Sequence, residues 1–497
     1  MAALSFLDKE HSIAKPGYNR WLVPPAALAI HLCIGQIYAY SVFNLPMTKI
    51  MGAQQGLTSE AGEIIAAAGD WKLTTLGWIF SIALFTLGAS AAIFGKWLER
   101  VGPRMAMFAS ALCFAGGFFV AALGIELHSI WLVYLGHGVI GGVGLGLGYI
   151  SPVSTLIKWF PDRPGMATGM AIMGFGGGAM IASPLSVGLM NFFRDAPGTV
   201  GGSIGVGEAF VVMGLIYLAF MMFGVFTVRI PAPGWKPQGY EPPKAGAKRM
   251  ITHAHVDADT AIKTPQFWLI FAVLMLNVTA GIGVLGQASV MIQEMFSADV
   301  VGADLAVSAA AAGGFVGLLS LFNMVGRFFW SSISDKIGRK NTYSVFFILG
   351  MALYLAVPTT GNLGSIVLFV AAFAIIMSMY GGGFATVPAY LRDMFGTMQV
   401  GAIHGRLLLA WSLAAIFGPT LINYLREYQI ETLAMPPAEA YSVTMYIMAG
   451  LLAIGLVCNL LVKPVDEKYH FQGADVPEVK PQASGVNPVS AQAKAAQ

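Results

Sequence analysis

The chain has 497 residues, of which 56% are hydrophobic and only 11% charged, with a mean hydropathy of +0.70. Soluble domains carry roughly 25% charged residues, so a soluble chain this apolar could not cover itself, and most of this surface must face lipid. The net charge of +3 is too small to suggest a nucleic-acid partner, and the three cysteines all sit in apolar runs, which implies no disulfide framework.

Residues 1–20 are polar, with Lys9, Lys15 and Arg20, and lack the apolar core of a cleavable signal. They read as a cytoplasmic segment, after which the first apolar run directs its own insertion. A spanning helix needs about 20 mostly apolar residues. Twelve runs qualify: 21–45, 73–95, 105–126, 130–157, 165–191, 207–228, 266–293, 306–333, 341–358, 364–390, 400–424 and 440–462. Lysine and arginine sort by side. Twenty-two lie between runs on one side, against Lys49, Lys72, Arg194 and Arg426 on the other, which places both termini in the cytoplasm. The expected architecture is therefore an all-α membrane protein of twelve transmembrane helices, with one six-helix bundle over 21–228 and another over 265–463. Between them, 229–264 is polar and proline-rich and reads as a cytoplasmic linker, whose His253, His255, Asp257 and Asp259 read as solvated and not as a metal site. Residues 464–497 read as a disordered cytoplasmic tail.

The halves match at one offset of 236 residues, which pairs Gly102 with Gly338, Pro152 with Pro388, Gly165 with Gly401 and Gly169 with Gly405. Sparse matches at a constant offset indicate duplication, and duplicated bundles enclose a site near the midplane. The glycine runs 141–148 and 174–180 imitate nucleotide-binding loops. They lie inside apolar spans and lack the strand and opening helix such loops need, so they read as close packing of the fourth and fifth helices.

Ionisable residues inside the spans carry the functional signal. Arg327 lies well within the eighth run, where a charge costs about 2.5–3.5 kcal/mol on insertion scales. Its neighbour one turn earlier, Asn323, is neutral. A buried cation facing a cavity binds an anion; the competing reading is an arginine that snorkels to the cytoplasm. Gln36, Tyr40 and Asn44 form an i, i+4, i+8 stripe expected to line the interior, with Tyr38 on the opposite face as a packing aromatic. Tyr149 and Tyr380 are expected as aromatic walls. His404 and Trp411 share a face of the eleventh helix, and Arg406 is expected at the cytoplasmic mouth. His31 and His137 sit mid-span and read as neutral imidazoles. No Asp or Glu lies in a span interior, since Asp70, Glu208, Glu294 and Asp393 fall at ends, so the site selects anions.

Two segments, GKWLERVGPR (95–104) and SSISDKIGRK (331–340), resemble the loop signature of the major facilitator superfamily. The resemblance implies a conformational-locking role for Gly95, Glu99, Arg100, Gly102 and Arg104, and for Asp335, Lys336, Gly338, Arg339 and Lys340. The residues agree, since Asp335 can cap a nearby helix N-terminus. GQIYAYSVFNLP (35–46), FNMVGRFFWSSISDKIGRKN (322–341) and YGGGFATVPAYLRDMFG (380–396) are similar to the oxalate/formate antiporter family. That similarity implies that Arg327 binds a substrate carboxylate. The chain departs from the family at Trp411, where the oxalate antiporter has a lysine, which weighs against dicarboxylates. It also has Asn323 where the distantly similar mammalian monocarboxylate transporters carry an aspartate.

The reading is a secondary transporter of small carboxylates of the formate, oxalate, lactate or pyruvate class. It works by antiport or with protons, as a lipid-embedded monomer in the inner cell membrane, without enzymatic activity, cofactor or metal. The alternatives are a major facilitator protein for a neutral solute and a non-transporting sensor.

Overall fold

The computed structural model describes residues 2–60, 62–240, 251–252, 254–307, 309–436 and 439–471. His253 and residues 472–497 of the expected tail lie outside the described residues.

Twelve helices among the described residues are long and apolar enough to span a membrane. They are α1 (Arg20–Tyr40), α2 (Thr75–Val101), α3 (Pro103–Glu126), α4 (Ile130–Trp159), α5 (Pro164–Phe193) and α6 (Val206–Thr227). The second six are α7 (Pro265–Val284), α8 (Gly314–Ile337), α9 (Arg339–Gly361), α10 (Ile366–Phe395), α11 (Val400–Ile430) and α12 (Ser442–Leu461). In the first half α3 packs on α4 and α6, and α1 on α5; in the second α8 packs on α10, and α9 on α12. The halves meet through α2 against α11 and α5 against α8. Large apolar side chains such as Trp131, Phe220 and Val367 point outward from the bundles, as a surface facing lipid requires.

The local chemistry of the helix ends follows known preferences. Pro103, Pro164 and Pro265 open α3, α5 and α7, where the missing N–H has no intrahelical partner to lose. Gly102 and Gly338 stand between α2 and α3 and between α8 and α9 at φ 87° and 86°, a conformation that strains any residue with a Cβ. Most of each expected loop signature is helical: α2 continues to Val101 and α8 to Ile337, beyond the expected ends at 95 and 333.

Three departures from simple spans matter. The end of α1 tightens into a 3-10 helix over Gly35–Phe43. The helix α11 is interrupted between Val400–Leu407 and Leu409–Glu427. The glycines of α4 and α5 do pack closely, but chiefly on other helices. A Cβ on Gly144 would strike Phe114 of α3, one on Gly146 would strike Ser90 of α2, and one on Gly174 would strike Leu28 of α1.

The linker differs from the expected solvated segment. Residues 251–264 are docked on the second half: Thr252 N–H donates to the Asp393 carbonyl at 2.8 Å, Val256 N–H to Phe395 O at 3.0 Å and Ala258 N–H to Gln399 Oε1 at 2.9 Å. Asp257 caps a short turn by accepting from the Asp259 and Thr260 N–H groups. The chain beyond α12 returns to this segment, with Phe471 N–H donating to His255 O at 2.7 Å.

Candidate functional site

Arg327 on α8 is 1% exposed. Its Nε donates to Asn323 Oδ1 one turn earlier at 3.0 Å, and Nη1 donates across the interface to Ile172 O of α5 at 3.3 Å. Nη2 is buried without a partner. The guanidinium carbon lies 5.6 Å from the Phe175 ring and 5.5 Å from the Phe384 ring, one from each half. The charge is thus held between two aromatic faces and fixed at one edge, with the other edge free. A Cβ on Gly176 would stand 3.3 Å from Met324 Cα, so this glycine helps α5 come close to α8 beside Arg327.

The surrounding rings form one continuous cluster. Trp411 of α11 meets Phe175 at 5.6 Å, Tyr149 at 5.6 Å and Phe384 at 4.8 Å. Tyr149 also meets His31 at 5.5 Å and His404 at 5.8 Å, and Tyr380 meets Phe384 at 5.3 Å. Phe175 and Trp411 are equivalent positions at the repeat offset of 236, so their mutual contact lies on the axis relating the halves. The mate of Arg327 at that offset is Ala91. The cluster therefore sits on a pseudo-symmetric axis but carries its charge on one side only.

Of the residues expected to form the site, Arg327, Asn323, Tyr149, Tyr380, Trp411 and His404 come together. Tyr40 does not. It packs inside the first half, 4.5 Å from His137 and 5.7 Å from Phe43. Tyr38 takes its place, meeting Phe175 at 4.9 Å and Trp411 at 6.3 Å. The stripe of α1 that faces α5 runs through Leu28, His31 and Gly35, and Tyr38 continues it three residues on, on a different face from Tyr40. Gly35 lies against the Phe175 backbone, and Tyr38 follows it onto the Phe175 ring. Gln36 is buried with both ends of its amide unpartnered, and no described contact joins it to Arg327. Sequence reasoning also missed Phe175 and Phe384. The repeat offset applied to Trp411 points to Phe175; nothing in the pattern of α10 singles out Phe384.

Several buried polar atoms in the cluster make no hydrogen bond of normal geometry, Tyr38 OH, Tyr149 OH, Tyr380 OH, Trp411 Nε1 and Arg327 Nη2, with Tyr38 OH lying beside both Tyr380 OH and the Arg327 guanidinium. All can donate hydrogen bonds, and leaving such groups unpaired costs about 1–3 kcal/mol each. A small anion rich in acceptor oxygens is complementary to that set.

The expected locking residues form two equivalent latches on the face bearing the lysine- and arginine-rich turns, hereafter the basic face. Asp335 accepts from the Gly165 and Met166 N–H groups at the start of α5, at 2.8 and 2.9 Å. Glu99 accepts from Gly401 N–H at the start of α11 at 3.1 Å, and from Lys158 Nζ at 2.7 Å. Each acid of one half thus sits at the positive end of a helix in the other. Small residues make this possible. A Cβ on Gly165 would strike the Ser331 carbonyl, one on Gly95 would reach the Ala402 backbone, and one on Gly405 would strike the Ala91 carbonyl.

The remaining signature residues act locally or face outward. Arg339 braces Asp335 at 2.6 Å and Asp393 at 3.1 Å. Arg104 ties down the N-terminal segment through the Phe6 and His11 carbonyls, and Lys340 holds the end of α12 through Leu460 O and Val462 O. Arg100 and Lys336 are exposed. Beside the Glu99 latch, Asp259 of the linker pairs with both Lys96 of α2 and Arg406 of α11. Those two hydrogen bonds hold its carboxyl below the ordinary range, at about 2. Arg406 thus lies at the mouth of the basic face, as expected. No group of three or more metal-ligating side chains occurs among the described residues.

Twelve spanning helices in two related halves, latched on one face around a buried charge beside their common axis, define a two-bundle membrane transporter. The sequence profile of the Major Facilitator Superfamily matches residues 26–419 and 294–489, and the chain belongs to that superfamily, whose members are transporters and not enzymes. It is thus a multi-pass membrane protein. The oxalate:formate antiporter of Oxalobacter formigenes is 28% identical over 389 residues, covering 78% of this chain and 84% of that protein. Apicoplast pyruvate carrier 1 of Toxoplasma gondii is 23% identical, covering 89% of this chain and 88% of that protein. The crystal structure of the fucose:proton symporter of Escherichia coli superposes on 89% of this chain and 100% of its own at a TM-score of 0.60; at 12% identity the likeness is one of fold.

Proposed function

We propose that the protein is a secondary transporter of small carboxylates, favouring monocarboxylates, that binds its substrate at Arg327 between the halves. The observation that carries this reading is the buried guanidinium with a free Nη2, held between Phe175 and Phe384 and faced by unpartnered hydroxyl and indole donors. Among the described residues, no Asp or Glu side chain contacts the Arg327 guanidinium. An oxalate:formate antiporter and a pyruvate carrier among the relatives support the same substrate class.

The two six-helix units, 21–228 and 265–463, act as the moving bodies of alternating access, with the basic face cytoplasmic by its lysine and arginine content. In the latched arrangement Asp335 and Glu99 close that face below the site. An empty site carries an uncompensated buried charge, whereas a bound carboxylate neutralises it, so exchange of one anion for another is favoured over return of the empty carrier. With Asn323 where an acid would titrate, any coupled proton travels with the substrate or through a histidine.

The test is counterflow in proteoliposomes loaded with formate, acetate, lactate, pyruvate or oxalate, paired with thermal stabilisation by the same anions, which follows RT ln(1 + [L]/Kd). Trans-stimulated anion exchange supports the reading. Transport of a neutral solute that these anions do not compete with overturns it, and anion binding without flux identifies a sensor.

A further inference from the structure

A second cationic chamber lies outside the Arg327 cluster. On the basic face a cavity of about 660 Å³ is enclosed by the α2–α3 turn, the end of α4, the linker and the turn after α10. That volume is in the range of small-molecule sites, roughly 300–1,000 Å³. Among the described residues that line it, Lys9, Lys158, Lys236 and Arg392 are cations and Glu99 is the one acid. The Glu99 carboxylate is already engaged by Lys158, Ser154 and Gly401 N–H. Lys9 is left donating to a neutral group, the Glu99 carbonyl, at 2.8 Å. Burial and the Lys158 charge together push its ammonium below the ordinary lysine range, against the pull of Glu99. Arg392 pairs through Nη1 with the Asp393 carboxylate at 3.0 Å and donates through Nη2 to the Pro161 carbonyl of the opposite half at 3.3 Å. Lys236 is exposed on the linker with no described ion pair. The buried Nδ1 of His255, which also lines the cavity, has no partner.

We infer that this cavity is a regulatory site for a multivalent, phosphate-bearing anion in the solution bathing the basic face, and that its occupant holds that face shut. Lys158 is paired with Glu99 and Arg392 with Asp393, which leaves Lys9 and Lys236 uncompensated; a single carboxylate matches one of them, while a di- or polyphosphate matches both. The soluble source is favoured over a lipid headgroup because the walls come from both halves and from the linker lying across them. The same walls make the site conditional on conformation. Lys9 and Lys158 belong to the first half and Arg392 to the second, so parting of the halves disperses the cations. By linkage, a ligand that binds only the shut arrangement shifts the population toward it. The inference rests on the closure of the basic face and is independent of which solute is carried.

The experiment uses the full chain in nanodiscs, with inorganic pyrophosphate as probe and choline chloride at matched ionic strength as control. Pyrophosphate is expected to raise Tm at millimolar concentration beyond the salt control. The Lys9→Gln/Lys236→Gln double variant is expected to bind it at least about tenfold more weakly, since two charge-assisted contacts are lost. Lys72→Gln, on the opposite face, should bind as wild type does. In proteoliposomes, pyrophosphate confined to the basic face should slow transport, and pyrophosphate on the other face should not. A Tm shift no larger than the salt control, or one equally large in the double variant, overturns the inference. So does binding that appears only in nanodiscs made with phosphoinositide and never with pyrophosphate, which would assign the chamber to a lipid headgroup.

Discussion

Replacing Arg327 is the sharpest test of the substrate site. The guanidinium spends Nε on Asn323 and one Nη1 hydrogen on Ile172 O, leaving Nη2 and the rest of Nη1 for a ligand. A carboxylate can accept two charge-assisted bonds from that edge, at about 1.5–3 kcal/mol each. Glutamine is two atoms shorter, so its neutral amide reaches only the level of Nε and cannot replace the Nη donors. The net loss for Arg327→Gln is then about 2–4 kcal/mol, on the order of a hundredfold in affinity. Expression and insertion should hold, because removing a buried charge lowers the insertion cost. Arg327→Lys should recover only part of the activity: an ammonium has no fork, so it cannot hold Asn323 and grip a carboxylate in the same geometry. The measurement is radiolabelled formate or lactate exchange at several substrate concentrations, with purified protein quantified in each vesicle preparation. Exchange by Arg327→Gln at the wild-type rate and KM would refute the assignment.

Tyr38→Phe should raise KM several-fold while Tyr40→Phe stays within about twofold of wild type, because only Tyr38 reaches the cluster, at 4.9 Å from the Phe175 ring; equal effects would mean that the Tyr38 hydroxyl does not act at the site. Monocarboxylates should outcompete oxalate at neutral pH, since a dianion meets one cation in a low-dielectric cage, and Trp411→Lys should shift the preference toward oxalate; competition assays read both. Asp335→Asn should weaken the latch at the start of α5 by about 0.5–2 kcal/mol and raise the alkylation rate of a cysteine placed at Ser412, which donates across the interface to Leu84 O; an unchanged rate would show that Asp335 does not hold the basic face shut. The Asp259 strap to Lys96 and Arg406 should be indifferent to pH from about 8 down to 5, because its folded carboxyl titrates near 2, below the unfolded value of about 3.9. A group depressed in this way stabilises above its unfolded pKa and loses that contribution only as pH falls through the folded one. Asp259→Asn should therefore loosen the basic face at neutral pH, and a latch that instead opens between pH 8 and 5 must depend on other groups.

Much of this protein was legible in one dimension, for reasons that are themselves physical. Lipid forces each span to be an apolar helix of about 20 residues, so twelve of them can be counted. A charge inside a span is costly enough that Arg327 stands out in a list of letters. Gene duplication leaves its offset in the sequence, and that offset pairs Glu99 with Asp335 and Gly165 with Gly401, the acids and helix starts that form the two latches. What the latches join was not legible: each acid bonds a helix of the other half, and only packing decides that partner. The same holds for the linker, whose Asp259 looked solvated until Lys96 and Arg406 were brought to it from two bundles. Tyr38 and Tyr40 show the limit most clearly. The polar stripe Gln36, Tyr40 and Asn44 suggests one inward face, but α1 meets α5 along Leu28, His31, Gly35 and Tyr38, and which stripe meets the other helices is decided by packing. Phe175, Phe384 and Trp411 are three ordinary aromatics in three apolar helices; that they close around one guanidinium is a property of how two bundles meet on an axis, which no periodicity within a single helix records.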